Sequence, residues 1–171
     1  MIKLIAFDTF GTIFDTSQAG DGEVAAYNRH MESCRDFDSW RPLRLPDSWK
    51  TLQAFPDVKP GLAQLRSLGY RCVTCSNGPA PLLHEVSKHN GLVWDGIVPL
   101  EAARVFKPDL RAYLHVCRVW NVSPAEVMMV TANRTFGDLE AAEMLGMQPQ
   151  LIRDEQARTK DVMALADLML M

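Results

Sequence analysis

Residues 1–15 read MIKLIAFDTFGTIFD, and this stretch decides the fold. Ile2 to Phe7 is a short, mostly apolar run closed by Asp8, which suits a strand buried on both faces of a parallel sheet. Gly11 then lets the chain turn. Beyond Pro60 the same kind of strand recurs, separated by helices. Gly61 to Leu68 reads as a helix ended by Gly69, Arg71 to Cys75 as a strand, and Pro81 to His89 as a helix with Leu82, Leu83 and Val86 on one face. Gly96 to Pro99 is a short strand, and a helix runs from about Leu110 to Trp120. Ser123 with Glu126 forms a capping-box pattern just before the apolar strand Val127 to Thr131. A helix covers about Gly137 to Leu145, stopped by Gly146, and Leu151 with Ile152 offers one more strand. The tail ALADLMLM fits either a last strand or a short helix.

Strands alternating with such helices imply right-handed crossovers. The expected class is therefore α/β, a doubly wound, Rossmann-like parallel sheet with a short cap insertion after the first strand. Residues 1–14 and 56–171 form the expected core, and residues 15–55 the cap. Within the cap only Glu23 to Glu32 reads as a helix, and Phe37, Trp40, Trp49 and Phe55 are scattered among Pro42, Pro46 and Pro56.

With 171 residues, 47% of them hydrophobic, the chain buries one sizeable core. Eighteen basic and 21 acidic residues leave a net charge of -3 and no basic stripe, so nucleic acid is not an expected partner. The first apolar run is too short for a signal peptide or a spanning helix, so a cytoplasmic protein without membrane contact is expected. Cys72 and Cys75 form a C-x-x-C, but on a β-branched strand rather than at a helix N-terminus; with Cys34 and Cys117 they read as structural.

In open parallel sheets ligands sit beyond the C-terminal ends of the strands. That rule selects Asp8, Ser76, Asn77, the loop around Lys107, and Thr131 to Asp138. Taken singly these are ordinary turn, cap and strand-end residues. Together, FDTFGTIFD resembles the first motif of the haloacid dehalogenase superfamily, TCSNG the second, VFKPD the third and VTANRTFGDLEAA the fourth. Order and approximate spacing fit over Met1 to Phe14 and about Phe55 to Ile152.

The resemblance implies that Asp8 is a carboxylate nucleophile. Phosphatases of the superfamily place a second Asp two residues later as general acid; here that residue is Phe10, which donates no proton. The 2-haloacid dehalogenases are more similar, with an aromatic residue there followed by Gly-Thr, as in Gly11 and Thr12. By that resemblance Lys107 keeps Asp8 ionised, Thr12 and Ser76 orient its oxygens, and Asn77 donates to the departing halide. Asn133 positions water and Asp138 activates it, while Phe10, Tyr113, Thr131 and a cap arginine, Arg41 or Arg35, meet the substrate.

Two features depart from the pattern. Asp138 lies five residues after Asn133, the phosphatase spacing, whereas Phe136 holds the dehalogenase offset of three. The cap is also shorter than usual. The expected activity is hydrolysis of a small anionic 2-haloacid through an aspartyl ester, without a cofactor. The alternatives are a Mg²⁺-dependent small-molecule phosphatase and a binding protein that retains the fold without turnover. Aromatic residues left exposed by a short cap, among Trp40, Trp49 and Phe55, would favour a homodimer.

Overall fold

The computed structural model describes residues 1–34 and 37–171. Five parallel strands form one sheet in the order β3-β2-β1-β4-β5. They are β1 (Leu4–Phe7), β2 (Arg71–Thr74), β3 (Gly96–Ile97), β4 (Val127–Thr131) and β5 (Gln148–Leu151). β1 is central, and all four of its residues are buried, as a strand covered on both faces requires. Its alternate residues feed two cores. Ile5 and Phe7 join Met128 and Val130 on one face, while Leu4 and Ala6 join Val127 and Met129 on the other.

The first face is covered by α2 (Val58–Ser67), α3 (Ala80–His89) and α6 (Val162–Leu170). The second is covered by α4 (Leu110–Trp120) and α5 (Asp138–Leu145). Each helix turns an apolar stripe inward, such as Leu82, Leu83 and Val86 on α3 or Ala112, Tyr113 and Val116 on α4.

The tail is helical. Asp161 caps it by accepting from the Ala164 amide at 2.7 Å, and Val162, Leu165 and Ala166 are buried. The last strand starts earlier than expected, at Gln148, and takes Pro149 because it lies at the sheet edge, where a missing N–H is tolerated. β3 is shorter than expected because the Val98 amide bonds to the Thr74 side chain instead of continuing the ladder.

The expected cap does not stand apart over its whole length. Its helix α1 (Glu23–Ser33) is followed by a 3₁₀ turn at Asp47–Thr51 that packs against α3. Trp49 in that turn is 1% exposed, lies in the same core as Phe14 and Leu62, and donates its indole N–H to Glu23 at 2.8 Å. Phe55 is half-buried beneath the Arg153 guanidinium at 4.0 Å, and Trp40 is half-buried against Phe106, 5.5 Å between ring centres. These contacts correct the expectation of exposed aromatics and remove its argument for a homodimer. The four cysteines are buried and free, and burial pushes the Cys72 and Cys75 thiols up to about 12, which fits structural roles. Among the described residues no helix is long and apolar enough to cross a membrane.

Candidate active site

Asp8 leaves the end of β1, its amide still paired with the Val130 carbonyl of β4. Its carboxylate is 16% exposed and is held from both sides. Thr12 donates to Oδ2 at 2.7 Å, and the Lys107 ammonium donates to Oδ1 at 3.1 Å. The Thr12 hydroxyl also accepts from the Ala132 amide at 2.9 Å, tying the loop after β1 to the end of β4. Gly11 at φ +84° supplies the left-handed turn that brings Thr12 back to Asp8.

The Lys107 side chain is 1% exposed and bridges two acids, because Asp138 accepts from the same nitrogen at 3.1 Å. Asp138, the first residue of α5, is fully enclosed and also accepts from the Tyr113 hydroxyl on α4. Burial raises the Asp8 carboxyl above its ordinary value, and Lys107 and Thr12 offset only part of the effect. Burial alone would pull the Lys107 ammonium down, but the charges of Asp138 and Asp8 outweigh it and hold it well above its usual value. Burial also pushes the Tyr113 hydroxyl up, so it remains a donor. The result is a lysine held in its charged form behind a poorly hydrated carboxylate.

Asp8, Thr12, Lys107, Asp138 and Tyr113 are thus one hydrogen-bonded chain, while other expected contacts are redirected. Ser76 shares a 2.7 Å hydrogen bond with Thr9 rather than Asp8, and its oxygen accepts from the Gly78 amide at 3.0 Å. It braces the chain neighbour of Asp8. Both ends of the Asn77 amide are taken by the Lys107 backbone, with Oδ1 accepting at 2.7 Å and Nδ2 donating at 3.1 Å. Asn77 therefore seats Lys107 with one of its two amide hydrogens. Thr131 is buried and accepts from the Asn133 amide at 3.1 Å, so it shapes the loop rather than facing a ligand. Tyr113 likewise serves Asp138, and the enclosure of Asp138 denies it the open face that a water activator needs.

Arg41 is exposed, donates to the Ser33 hydroxyl at 2.7 Å, and does not line the cleft at Asp8. Arg35 lies outside the described residues.

The cleft in front of Asp8 has a volume of ≈ 380 Å³. Phe10, Tyr27, Trp49 and Val24 supply apolar wall, and Asn28, Asn133, Arg134, Thr135 and Asp154 supply polar wall. Phe10 sits with its ring centre 4.8 Å from Trp49. It presses so close to Gly78 that a Cβ there would stand 2.6 Å from the ring, so the second motif requires glycine. Tyr27 is not singled out by its sequence, Trp49 reads only as an exposed cap aromatic, and Arg134 falls within the stretch Thr131 to Asp138 without a role of its own. α1 is too polar and the 3₁₀ turn too short to show a periodic signal, although Arg134 directly follows Asn133 at a strand end.

The family model for haloacid dehalogenase-like hydrolases matches residues 2–146. The (S)-2-haloacid dehalogenase of Xanthobacter autotrophicus is 27% identical, over 78% of this chain and 68% of that protein. A solved L-2-haloacid dehalogenase superposes with a TM-score of 0.83 at 24% identity, covering 99% of each chain. The Xanthobacter autotrophicus L-2-haloacid dehalogenase with chloropropionic acid covalently bound gives 0.74 at 24% identity, over 91% of this chain and 80% of that one. At such identities the structural likeness speaks for the fold.

Proposed function

The chain belongs to the haloacid dehalogenase-like hydrolases, and on that premise we propose that it hydrolyses the carbon–halogen bond of a small 2-haloacid. The observation that carries this reading is the pairing of Asp8 with Thr12 and Lys107 at a cleft where Phe10 stands beside it. That arrangement offers a positioned nucleophile and no carboxylic acid at position 10 to protonate a leaving group. Halide is a leaving group that needs no proton.

One carboxylate oxygen of Asp8 attacks C2. The carbon–halogen bond breaks, the halide departs with its electron pair, and an ester forms on Asp8. Poor hydration strengthens the nucleophile, while Lys107 and Thr12 fix its direction. Water then adds to the Asp8 carbonyl carbon. Negative charge develops on the oxygen that is not esterified, where the Lys107 ammonium or the Thr12 hydroxyl is already in place as donor. Collapse breaks the bond to the alkyl oxygen, which leaves as the 2-hydroxy acid with one proton of the water while the other passes to solvent, and restores the Asp8 carboxylate with one oxygen from water. Asn133, whose Oδ1 accepts from Thr135 at 3.1 Å, keeps its amide donors for water or substrate. In this scheme Asp138 holds Lys107 and Tyr113 in place.

We also propose that turnover needs no divalent metal. Asp8 and Asp138, which would be the acidic donors, both hold the Lys107 ammonium, and position 133 is an amide. No group of three or more His, Cys, Asp or Glu side chains among the described residues is arranged to hold a metal ion. The test is halide release from 2-chloropropionate and chloroacetate, with chelator and with added Mg²⁺. Release that resists chelator and vanishes in Asp8→Ala is expected. Release of phosphate from a phosphate ester that depends on Mg²⁺, with no halide release, would overturn the proposal in favour of the phosphatase reading.

A further inference from the structure

A substrate that carries a carboxylate must bring it next to Asp8 without repulsion, so the cleft needs a cation other than Lys107, whose ammonium is already shared between Asp8 and Asp138. Among the described residues Arg134 is the one lysine or arginine that lines the cleft. It stands two positions beyond Ala132, whose amide donates to the same Thr12 hydroxyl that bonds Asp8.

Its commitments are light. The Arg134 side chain is 39% exposed, and its hydrogen bond to Asp154 is long, 3.5 Å, from a single nitrogen. The Asp154 carboxylate is itself positioned by the Gln156 amide at 2.8 Å. Arg153 shows the contrast. It makes a bidentate pair with Asp57 at 2.8 Å, donates to the Thr12 carbonyl at 2.8 Å and stacks on Phe55, which leaves it no fork to offer. A guanidinium anchored at one edge by a weak contact keeps the planar pair of donors that matches a carboxylate.

We propose that Arg134 is the carboxylate anchor of the cleft, supplied by the loop after β4. A short 2-substituted acid then lies with its carboxylate on Arg134, its alkyl group against Phe10 and Trp49, and C2 before Asp8. The assignment rests on the halide-hydrolysing reading of Asp8 and adds to it the group that selects acids over neutral analogues.

Two measurements test it. The first is binding of propionate, an unreactive acid, to the parent protein and to Arg134→Gln and Arg134→Lys by calorimetry. The second is the ratio of kcat/KM for 2-chloropropionate to that for 2-chloropropionamide in the same proteins. Arg134→Gln should weaken propionate at least tenfold and lower the acid-to-amide ratio at least tenfold, mainly through KM, with Arg134→Lys in between. Propionate affinity that is equal in parent and Arg134→Gln, or absent from the parent, overturns the anchor. If the parent binds propionate through Arg134 but releases no halide, the anchor stands and the dehalogenase reading falls. If halide is released with an unchanged ratio in Arg134→Gln, the reading stands and the anchor falls.

Discussion

Lys107→Met removes the ammonium that joins Asp8 and Asp138, each 3.1 Å away. Its loss leaves two carboxylates near one another with little water to solvate them. Breaking a buried charge pair from one side costs about 3–5 kcal/mol, on the order of 10 °C in Tm for a domain of this size. The loss also has a pH signature. In the folded variant Asp8, already raised by burial, loses the ammonium that lowers it and retains its proton at pH values where the unfolded chain has released it. The folded state then binds more protons than the unfolded one between the unfolded carboxylate pKa and the raised folded value, so stability falls as pH rises through that window. The parent shares this sign more weakly, because burial already raises Asp8 despite Lys107 and Thr12. Lys107, raised by Asp138 and Asp8 against the pull of burial, contributes stability below 10.5 that is lost only as pH rises through its folded value. Urea denaturation of both proteins between about pH 5 and 8, followed by tryptophan fluorescence, should show a stability gap that widens with pH. A gap below about 1 kcal/mol, the worth of an exposed pair, or one that ignores pH, would refute the buried triad.

Asp138→Asn should lower turnover through Lys107 without accumulating ester, so quenched steady-state enzyme should show the unmodified mass. Accumulated adduct would return the water-activating role to Asp138. Thr12→Val leaves the Ala132 amide without its acceptor and Oδ2 of Asp8 without its donor. It should cost about 1–3 kcal/mol in denaturation and lower kcat, with Thr12→Ser retaining both; equal losses in the two variants would discard the hydroxyl's role. Trp49→Ala should cost about 3–5 kcal/mol, because Trp49 joins the main core and anchors α1 through Glu23. Thermal unfolding of that variant at the parent's Tm would return the turn to a detached cap.

The fold was legible where burial on both faces left apolar runs, as in Val127 to Thr131, or where caps framed a helix, as in Leu110 to Trp120. Strand ends placed Asp8, Lys107 and Asp138 in one neighbourhood, because a parallel sheet gathers them at one edge. Which hydroxyl meets which partner was not legible. Ser76 pairs with Thr9, 67 positions away in the chain, a contact decided by how the loops after β1 and β2 cross. The cap misled for a related reason. Prolines and polar residues hide the burial of Trp49, which packs with Phe14 and Leu62 of the core as well as bonding Glu23 of its own segment. Asn77 read as a turn residue because nothing local reveals that both ends of its amide belong to Lys107.

In this mechanism Asp8 itself attacks carbon, and isotope transfer in a single turnover separates that route from direct attack by water. Excess enzyme is mixed with 2-chloropropionate in ¹⁸O-water, and both the lactate and the Asp8-containing peptide are weighed by mass spectrometry. After the first turnover ¹⁸O is expected in the Asp8 carboxylate and not in the lactate hydroxyl, since water enters only at the ester carbonyl. Label in the lactate with an unlabelled Asp8 peptide would mean that water attacked C2 directly, and would contradict the nucleophilic role of Asp8.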